Sequence, residues 1–541
     1  MARYFAAASA LLTFASPVSA DWHEAQSQHF VVYADDSEKD VREFAELLER
    51  YHAAMSLLTG QEVAVPSPSN RVTIFAVGNE REIRRLLGDG ADNVAGFYLP
   101  RAGGSRAFVP DVRTSSRETP FSFIVLLHEY AHHFLMSSQR HAMPRWLNEG
   151  AAEFFASSRF ARDGSLQIGR PAYHRAGELA YAKDVSVEEL LDHELYEENR
   201  GRRYDAFYGR SWALYHYLRF DEERSDQLSR YATAITQGMP PRAAAESAFG
   251  DLDELERDLD RYLRKRRMTT FDFKPGTFET GEITVRRVSE GMDEAMPLRI
   301  RSQRGVDREQ ALELLPDVRE VAARYPNDAD VLAVLAEAEH DAGNDAEAIA
   351  AADRAIAINP TTKNAYVQKG LSLFRIAFDA EEDEIDAAYA AAMEPFQKLN
   401  ALENDHPLPL IFYYRSFTER GEEPNENARH ALERASILAP FDQGLTMNAA
   451  NMLASEGKIA LATSYLESLA TNPHGGGLAE EARNMIEAMK TVDEGTRFSN
   501  SRAWREPDPE TLSDDPDAST SEDGEGSDDS PTEPESSEPS V

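Results

Sequence analysis

Short apolar runs alternate with segments of helical spacing through the first half of the chain. Residues 29–33 (HFVVY) and 72–77 (VTIFAV) predict strands, and between them Ser37 opens a helix to Leu58. Asn79 caps a helix that runs to Leu87, where Gly88 stops it. Val94–Leu99 and Arg106–Val109 predict two more strands, joined by PRAGGS, whose glycine pair permits a turn. Thr119 and Pro120 suit the cap and first position of a helix, and Phe121–Leu135 then runs without Gly or Pro. Residues 136–143 predict a turn and Pro144–Phe155 a second helix. Downstream come a hairpin or loop (DGSLQIGR), a short helix at Val187–Leu191 and a charged, exposed stretch from Glu194 to Arg203. A helix from about Phe207 to Phe220 follows, then helices at 225–237, 241–248 and 251–267, and a strand within GEITVRRVS.

Beyond residue 308 the texture changes to Ala-rich amphipathic helices. Repeat-like endings recur at Pro326, Pro360, Pro440 and Pro473, spaced by 34, 80 and 33 residues. With the small residues Ala333, Ala348 and Ala355 and the turn glycine Gly343, this resembles tetratricopeptide repeats. The 80-residue interval then holds two units, with an acidic insertion near Glu381–Asp386. The resemblance implies a surface for peptides or protein segments, or a brace for the preceding domain.

Length and charge narrow the picture. A chain of 541 residues exceeds one core, so two or more domains are expected. The formal charge of −38 argues against a nucleic-acid binder, which needs basic surface. From Glu506 onward there are 14 acids and no Lys or Arg among Pro, Ser and Gly, which predicts a disordered tail. Residues 1–20 have an early Arg, an apolar middle and V-S-A before Asp21, as a secretory signal does, so export to the periplasm or outside the cell is expected. No later run is long enough for a membrane span. The absence of cysteine removes disulfides and thiolate chemistry.

The chemistry is concentrated at His128-Glu129-x-x-His132. On a helix the two imidazoles lie one turn apart on one face and converge on one metal, with Glu129 beside them to take a proton from water. Two histidines and a carboxylate inside an apolar helix are costly to bury without such a partner. Glu149, on the next helix, is the best third ligand and leaves a fourth position for water. Glu153, one turn on, is placed to accept the free ring N–H of a ligand histidine, and Asn148 is a similar candidate. Small residues at Gly150–Ala152 allow helices to approach closely beneath the metal.

HEYAHH followed by WLNEGAAEFF resembles the gluzincins, the thermolysin-like metallopeptidases, and most closely bacterial peptidase-MA-like domains, over about residues 25–270. The resemblance implies zinc held by His128, His132 and Glu149, Glu129 as general base, and Asn148 and Glu153 as outer partners. The 17 positions from His132 to Glu149 are slightly fewer than in the best-known members. It also implies an edge strand that holds extended substrate, for which Phe97–Tyr98 or Ala107–Phe108 are candidates, although aromatics there more often pack in a core. Related domains place a tyrosine near the metal. Tyr208 is the first candidate for a donor to the oxyanion, ahead of Tyr204 and His216.

The expected architecture is an α+β zincin-like catalytic domain followed by an all-α tetratricopeptide-like solenoid. Its segments are a signal at 1–20, the catalytic domain at 21–270, a linker with a short strand at 271–307, repeats at 308–492 and a tail at 493–541. The leading expectation is zinc-dependent peptide hydrolysis with a protein partner on the repeats. The rivals are a non-catalytic scaffold on the same fold and hydrolysis of a non-peptide amide.

Overall fold

A computed structural model describes residues 21–88, 94–113, 119–138, 142–201, 204–472 and 475–498. The expected signal and the tail beyond residue 498 lie outside the described residues.

The front of the chain is a mixed α+β unit. Its strands and helices run β1 (His23–Gln26), β2 (Phe30–Ala34), α1 (Glu38–Thr59), β3 (Val72–Ala76), α2 (Glu80–Leu87), β4 (Phe97–Leu99) and β5 (Arg106–Val109). Ser37 caps α1 through Asp40 N, and Asn79 caps α2 through Glu82 N, each satisfying an orphan amide. After these come α3 (Phe121–Ser138), α4 (Arg145–Ala156), β6 (Arg159–Phe160) and β7 (Leu166–Ile168). Six helices follow: α5 (Ala176–Tyr181), α6 (Val187–Leu191), α7 (His193–Asn199), α8 (Phe207–Phe220), α9 (Gln227–Thr236) and α10 (Pro241–Phe249). The unit ends with α11 (Leu252–Leu263), β8 (Phe271–Phe273) and β9 (Thr284–Arg287).

The main sheet has the order β4-β5-β3-β2-β1-β9, and β6-β7-β8 form a small second sheet. β2, β3 and β5 run parallel, while β4 is an antiparallel edge beside β5. Residues 271–307, expected as a linker with a short strand, supply β9 within GEITVRRVS to the edge beyond β1 and also β8 to the small sheet. The charged stretch from Glu194 is mostly exposed among its described residues, forms most of α7 and buries Tyr196.

Alternation along the strands sends Val32, Ile74 and Ala107 to one face, against α1 and α3. The other face carries Tyr33, Phe75, Phe108 and Phe97, paired strand to strand and stacked at 5.4, 5.5 and 4.5 Å between neighbouring rings. Both faces are apolar because both are covered. The aromatic row packs into one cluster with the first helices of the array.

That array is α12 (Glu290–Gln303), α13 (Arg308–Arg324), α14 (Ala329–Asp341), α15 (Asp345–Ile358), α16 (Lys363–Phe378), α17 (Ile385–Leu402), α18 (Pro407–Thr418), α19 (Glu426–Leu438), α20 (Gln443–Ser455), α21 (Ile459–Ala470) and α22 (Gly476–Met489). It is a tetratricopeptide-like stack of five helix pairs, α12/α13 to α20/α21, closed by α22. The first pair begins at Glu290, ahead of the expected start at 308, because the helical spacing of α12 is interrupted by Pro297. Gly305, Gly343, Gly421 and Gly457 turn the chain within four pairs at positive φ, which other residues adopt only with strain. The acidic insertion joins α16 to α17. Residues 493–498, expected as tail, fold back instead: Gly495 N donates to Gly457 O at 2.8 Å and Phe498 N to Ala454 O at 2.9 Å.

α4 and α8 touch backbone to backbone. A Cβ on Gly150 would meet Ser211 O at 2.5 Å, so Gly150→Ala forces the two helices apart. The expected outcome is a loss of about 1–3 kcal/mol, read as a lower thermal midpoint. A second expectation concerns Asp341, whose carboxyl is pushed up to about 7 by burial and by neighbouring Glu337. The folded chain therefore binds the proton more tightly than the unfolded chain, whose aspartate keeps the usual 3.8. The stability contributed is fully present below that value and lost as pH rises through about 7. Asp341→Asn should raise the thermal midpoint more at pH 8 than at pH 5, because the loss builds up between 3.8 and about 7; equal shifts at both would count against this account.

Candidate metal centre

α3 is apolar nearly all round, so it is a buried helix between sheet and helical layer. Its first carbonyl acceptor is Pro120, which takes N–H groups from Phe123 and Ile124 at 3.0 Å each. Thr119 is not the cap: its hydroxyl donates to Ser158 O at 2.7 Å and ties the start of α3 to the end of α4. The helix runs on to Ser138, past the expected end at Leu135.

His128 and His132 sit one turn apart, with their Nε2 atoms 3.0 Å from each other. Glu149 Oε2 on α4 lies 3.3 Å from His128 Nε2 and 3.4 Å from His132 Nε2. Donors about 2.0–2.1 Å from a tetrahedral zinc are about 3.3–3.4 Å apart, so this triangle fits the ion's coordination edges. Among the described residues it is the one group of three His, Cys, Asp or Glu able to hold a metal. Glu149 is wholly buried, and His128, His132 and Glu129 are nearly so, at 6–7% exposure.

Glu153 completes the orientation of His128. Its Oε1 lies 3.1 Å from His128 Nδ1, leaving Nε2 to face the triangle. The same carboxylate is held by His174 Nε2 and Arg175 Nη2, each at 2.6 Å. Burial pushes Glu153 up, but Arg175 and His174 outweigh it and hold the carboxyl well below its usual range. Burial likewise opposes charge on His128, yet Glu149 and Glu153 outweigh it and favour the cationic ring. The two buried carboxylates thus favour positive charge between them, whether on the His128 ring or on a bound cation. His174 and Arg175 had no signal in the sequence beyond an adjacent His-Arg pair three positions before Glu178. Arg175 reaches Glu178 at 3.5 Å, and Glu178 accepts from Gly209 N on α8 at 2.6 Å.

Asn148, expected as an outer partner like Glu153, faces the loop before α4. Its amide donates to Met143 O at 3.3 Å and braces the loop before α4, because it opens the helix on the side of that loop. His216 is excluded as a donor to the site: it is fully buried, with Nδ1 on Tyr262 and Nε2 on Gly169 O at 2.7 and 2.9 Å. The Tyr204 hydroxyl donates to Glu178 Oε2 at 3.1 Å. Tyr208 lies on α8 with its ring 4.8 Å from the Arg175 guanidinium, and its hydroxyl engages Arg145 at the start of α4.

A crevice between β4 and α3, too tight for a water molecule, is lined by residues 96–98, 108–109 and 125–126 and by Glu129, and by none of the three ligand candidates. Phe97–Tyr98 is thus on the edge strand, whereas Ala107–Phe108 lies in β5, paired on both sides and closed to an added strand. Phe97 and Phe108 point to the far face and are core. Tyr98 and His133, the latter not singled out in the sequence, share a 2.6 Å hydrogen bond that ties β4 to α3.

Residues 124–241 match a family described as a protein of unknown function, DUF1570. The match covers both helices of the centre and extends through α9. No curated protein matches the chain. Among solved structures the chain is similar to a thermophilic TPR protein of Thermus thermophilus, at 14% identity and TM-score 0.29, over 33% of this chain and 92% of that one. It is also similar to MamA (18%, 0.25, over 38% and 94%) and to yeast Tom70 (13%, 0.25, over 67% and 71%). Those scores are too low to carry weight, and the repeat character rests on the helix pairs themselves.

Arg175→Ala frees the Glu153 carboxylate, and the expected result is metal affinity weaker by about 10–100-fold in chelator competition. Unchanged affinity would show that Arg175 serves packing alone.

Proposed function

We propose that this chain is a zinc-dependent peptidase. The observation that carries the reading is the triangle of His128, His132 and Glu149, with Glu129 next to His128 on the same helix. When bound, zinc supplies a Lewis acid that polarises the scissile carbonyl and makes water a stronger nucleophile.

The chain's own residues do the rest. Glu153 keeps His128 in the tautomer whose Nε2 is a donor to the ion. The Glu129 carboxylate takes the proton from the attacking water and passes it to the departing amine nitrogen. β4 is the last strand of the main sheet among the described residues, and in this reading it holds an extended polypeptide as an added strand once the crevice beside α3 widens. Tyr208, beside Arg175 and Arg145, is the proposed donor to the developing oxyanion. The reading includes export, supported by the pattern of residues 1–20, and no helix among the described residues is long and apolar enough to cross a membrane. The rival, a non-catalytic scaffold, rests on the helical array and predicts metal binding without turnover.

The test pairs metal analysis with digestion of a complex peptide mixture. Glu129→Gln is expected to keep its metal and lose about 100–10,000-fold in turnover. Glu149→Ala is expected to lose both. Turnover retained by the Glu129 variant rejects its role, and no turnover by the parent favours the scaffold.

A further inference from the structure

The inner side of the helical array already has an occupant. At the start of the array the first helices of neighbouring pairs lie against each other, α12 on α14 and α14 on α16, and form one side of the stack. A stack of this kind presents its binding groove on that inner side. In this chain the groove receives the β4–β5 hairpin, residues 97–109.

The contacts come from helices far apart in sequence. Ala102 N donates to Asp442 Oδ2, the cap of α20, at 2.8 Å. Arg106 Nε donates to Gln303 Oε1 at the end of α12 at 3.2 Å, and Gln303 in turn meets Glu337 of α14 at 3.3 Å. The Arg101 guanidinium reaches the turn between α12 and α13, where its Nη2 would lie 3.4 Å from a Cβ on Gly305, and Asp442, Asp341 and Glu337 oppose the cost of its burial. Gly103 turns the hairpin at positive φ, where a Cβ would come within 3.0–3.1 Å of Leu408 and His406 at the start of α18. Two arginines thus enter a groove lined by acids. On the other side of the hairpin, β4 borders the crevice that holds Glu129.

We propose that the acidic groove of the array is the seat of the β4–β5 hairpin, and that this seating fixes the edge strand beside the metal centre. Arg101 is then a positioning residue. The array acts on the site through β4 by holding the strand flat and in register, and its inner groove is closed to a second peptide while the hairpin is in place. Only the kinetic consequence rests on the peptidase reading.

The experiment uses the full chain with zinc, comparing the parent with Arg101→Glu and Arg101→Lys. Hydrogen exchange across residues 97–109, zinc content, and KM and kcat on a long unstructured peptide are measured together. In Arg101→Glu, exchange in the hairpin should quicken about tenfold while α3 and α4 stay protected and zinc content holds. KM should rise about threefold or more with kcat nearly unchanged, and lysine should restore most of both. Should Arg101→Glu fail to fold, Asp442→Asn, which keeps an α20 cap, decides by the same measurements. Unchanged protection of 97–109, or lost protection with an unchanged KM in an active enzyme, overturns the proposal. Lost protection in a chain that hydrolyses no peptide supports the seating and sinks the peptidase reading instead.

Discussion

The structure depends on a sheet with no face that tolerates water. Tyr33, Phe75, Phe108 and Phe97 form a row across four strands on the side opposite the metal centre. Burying each is worth about 1.5–3 kcal/mol, so the row amounts to on the order of 6–12 kcal/mol. That is comparable with the whole stability of a typical domain. The helices that cover it belong to the array, and the strand that closes the far edge comes just before them. Front unit and array are therefore one structure in energetic terms, although their sequences have different textures. Arg299 of α12 adds a cation over the Tyr33 ring at 4.8 Å, a contact suited to a surface that is apolar but electron-rich.

At the centre the governing effect is charge rather than area. Two buried carboxylates, Glu149 and Glu153, stand against one arginine, Arg175, and the histidines respond to the surplus. A buried group of this kind is tolerable only when its charge is matched, which is why the cluster reads as a cation site and not as ordinary core. The outer anchors are spread over a loop, α5 and α8, so the geometry of two ligand helices is set by a third layer. Gly150 allows that layer to come close enough.

What the sequence made legible was local. His128, Glu129 and His132 stand out because one helical turn is enough to bring them together, and Glu149 and Glu153 follow by the same spacing on the next helix. Caps at Ser37 and Asn79, the bounds of β5 and the extent of α8 rest on short-range chemistry and were equally readable. Long-range pairing was not. Nothing near residue 284 says that its strand partner lies at residues 23–26, and nothing in Phe97 or Phe108 tells an edge strand from an interior one. His174 and Arg175 meet Glu153 only through the fold. Thr119 had the right chemistry for a cap, but the tertiary partner Ser158 claimed its hydroxyl. Asn148 was similarly diverted to the loop at Met143, and the opening helix of the array was hidden by a proline in its middle.

The pairing of β1 with β9 has a temporal consequence. The two strands are separated by about 260 residues, which at ribosomal rates of about 5–20 residues per second means a delay of roughly 13–50 seconds between their emergence. Throughout that interval the outer border of β1 offers its backbone to any passing strand, and the aromatic row has nothing to lie beneath. A nascent or truncated chain that stops short of α12 is thus an aggregation hazard by construction, and the helices of the candidate metal centre are assembled on a platform that is finished only after they have themselves been made.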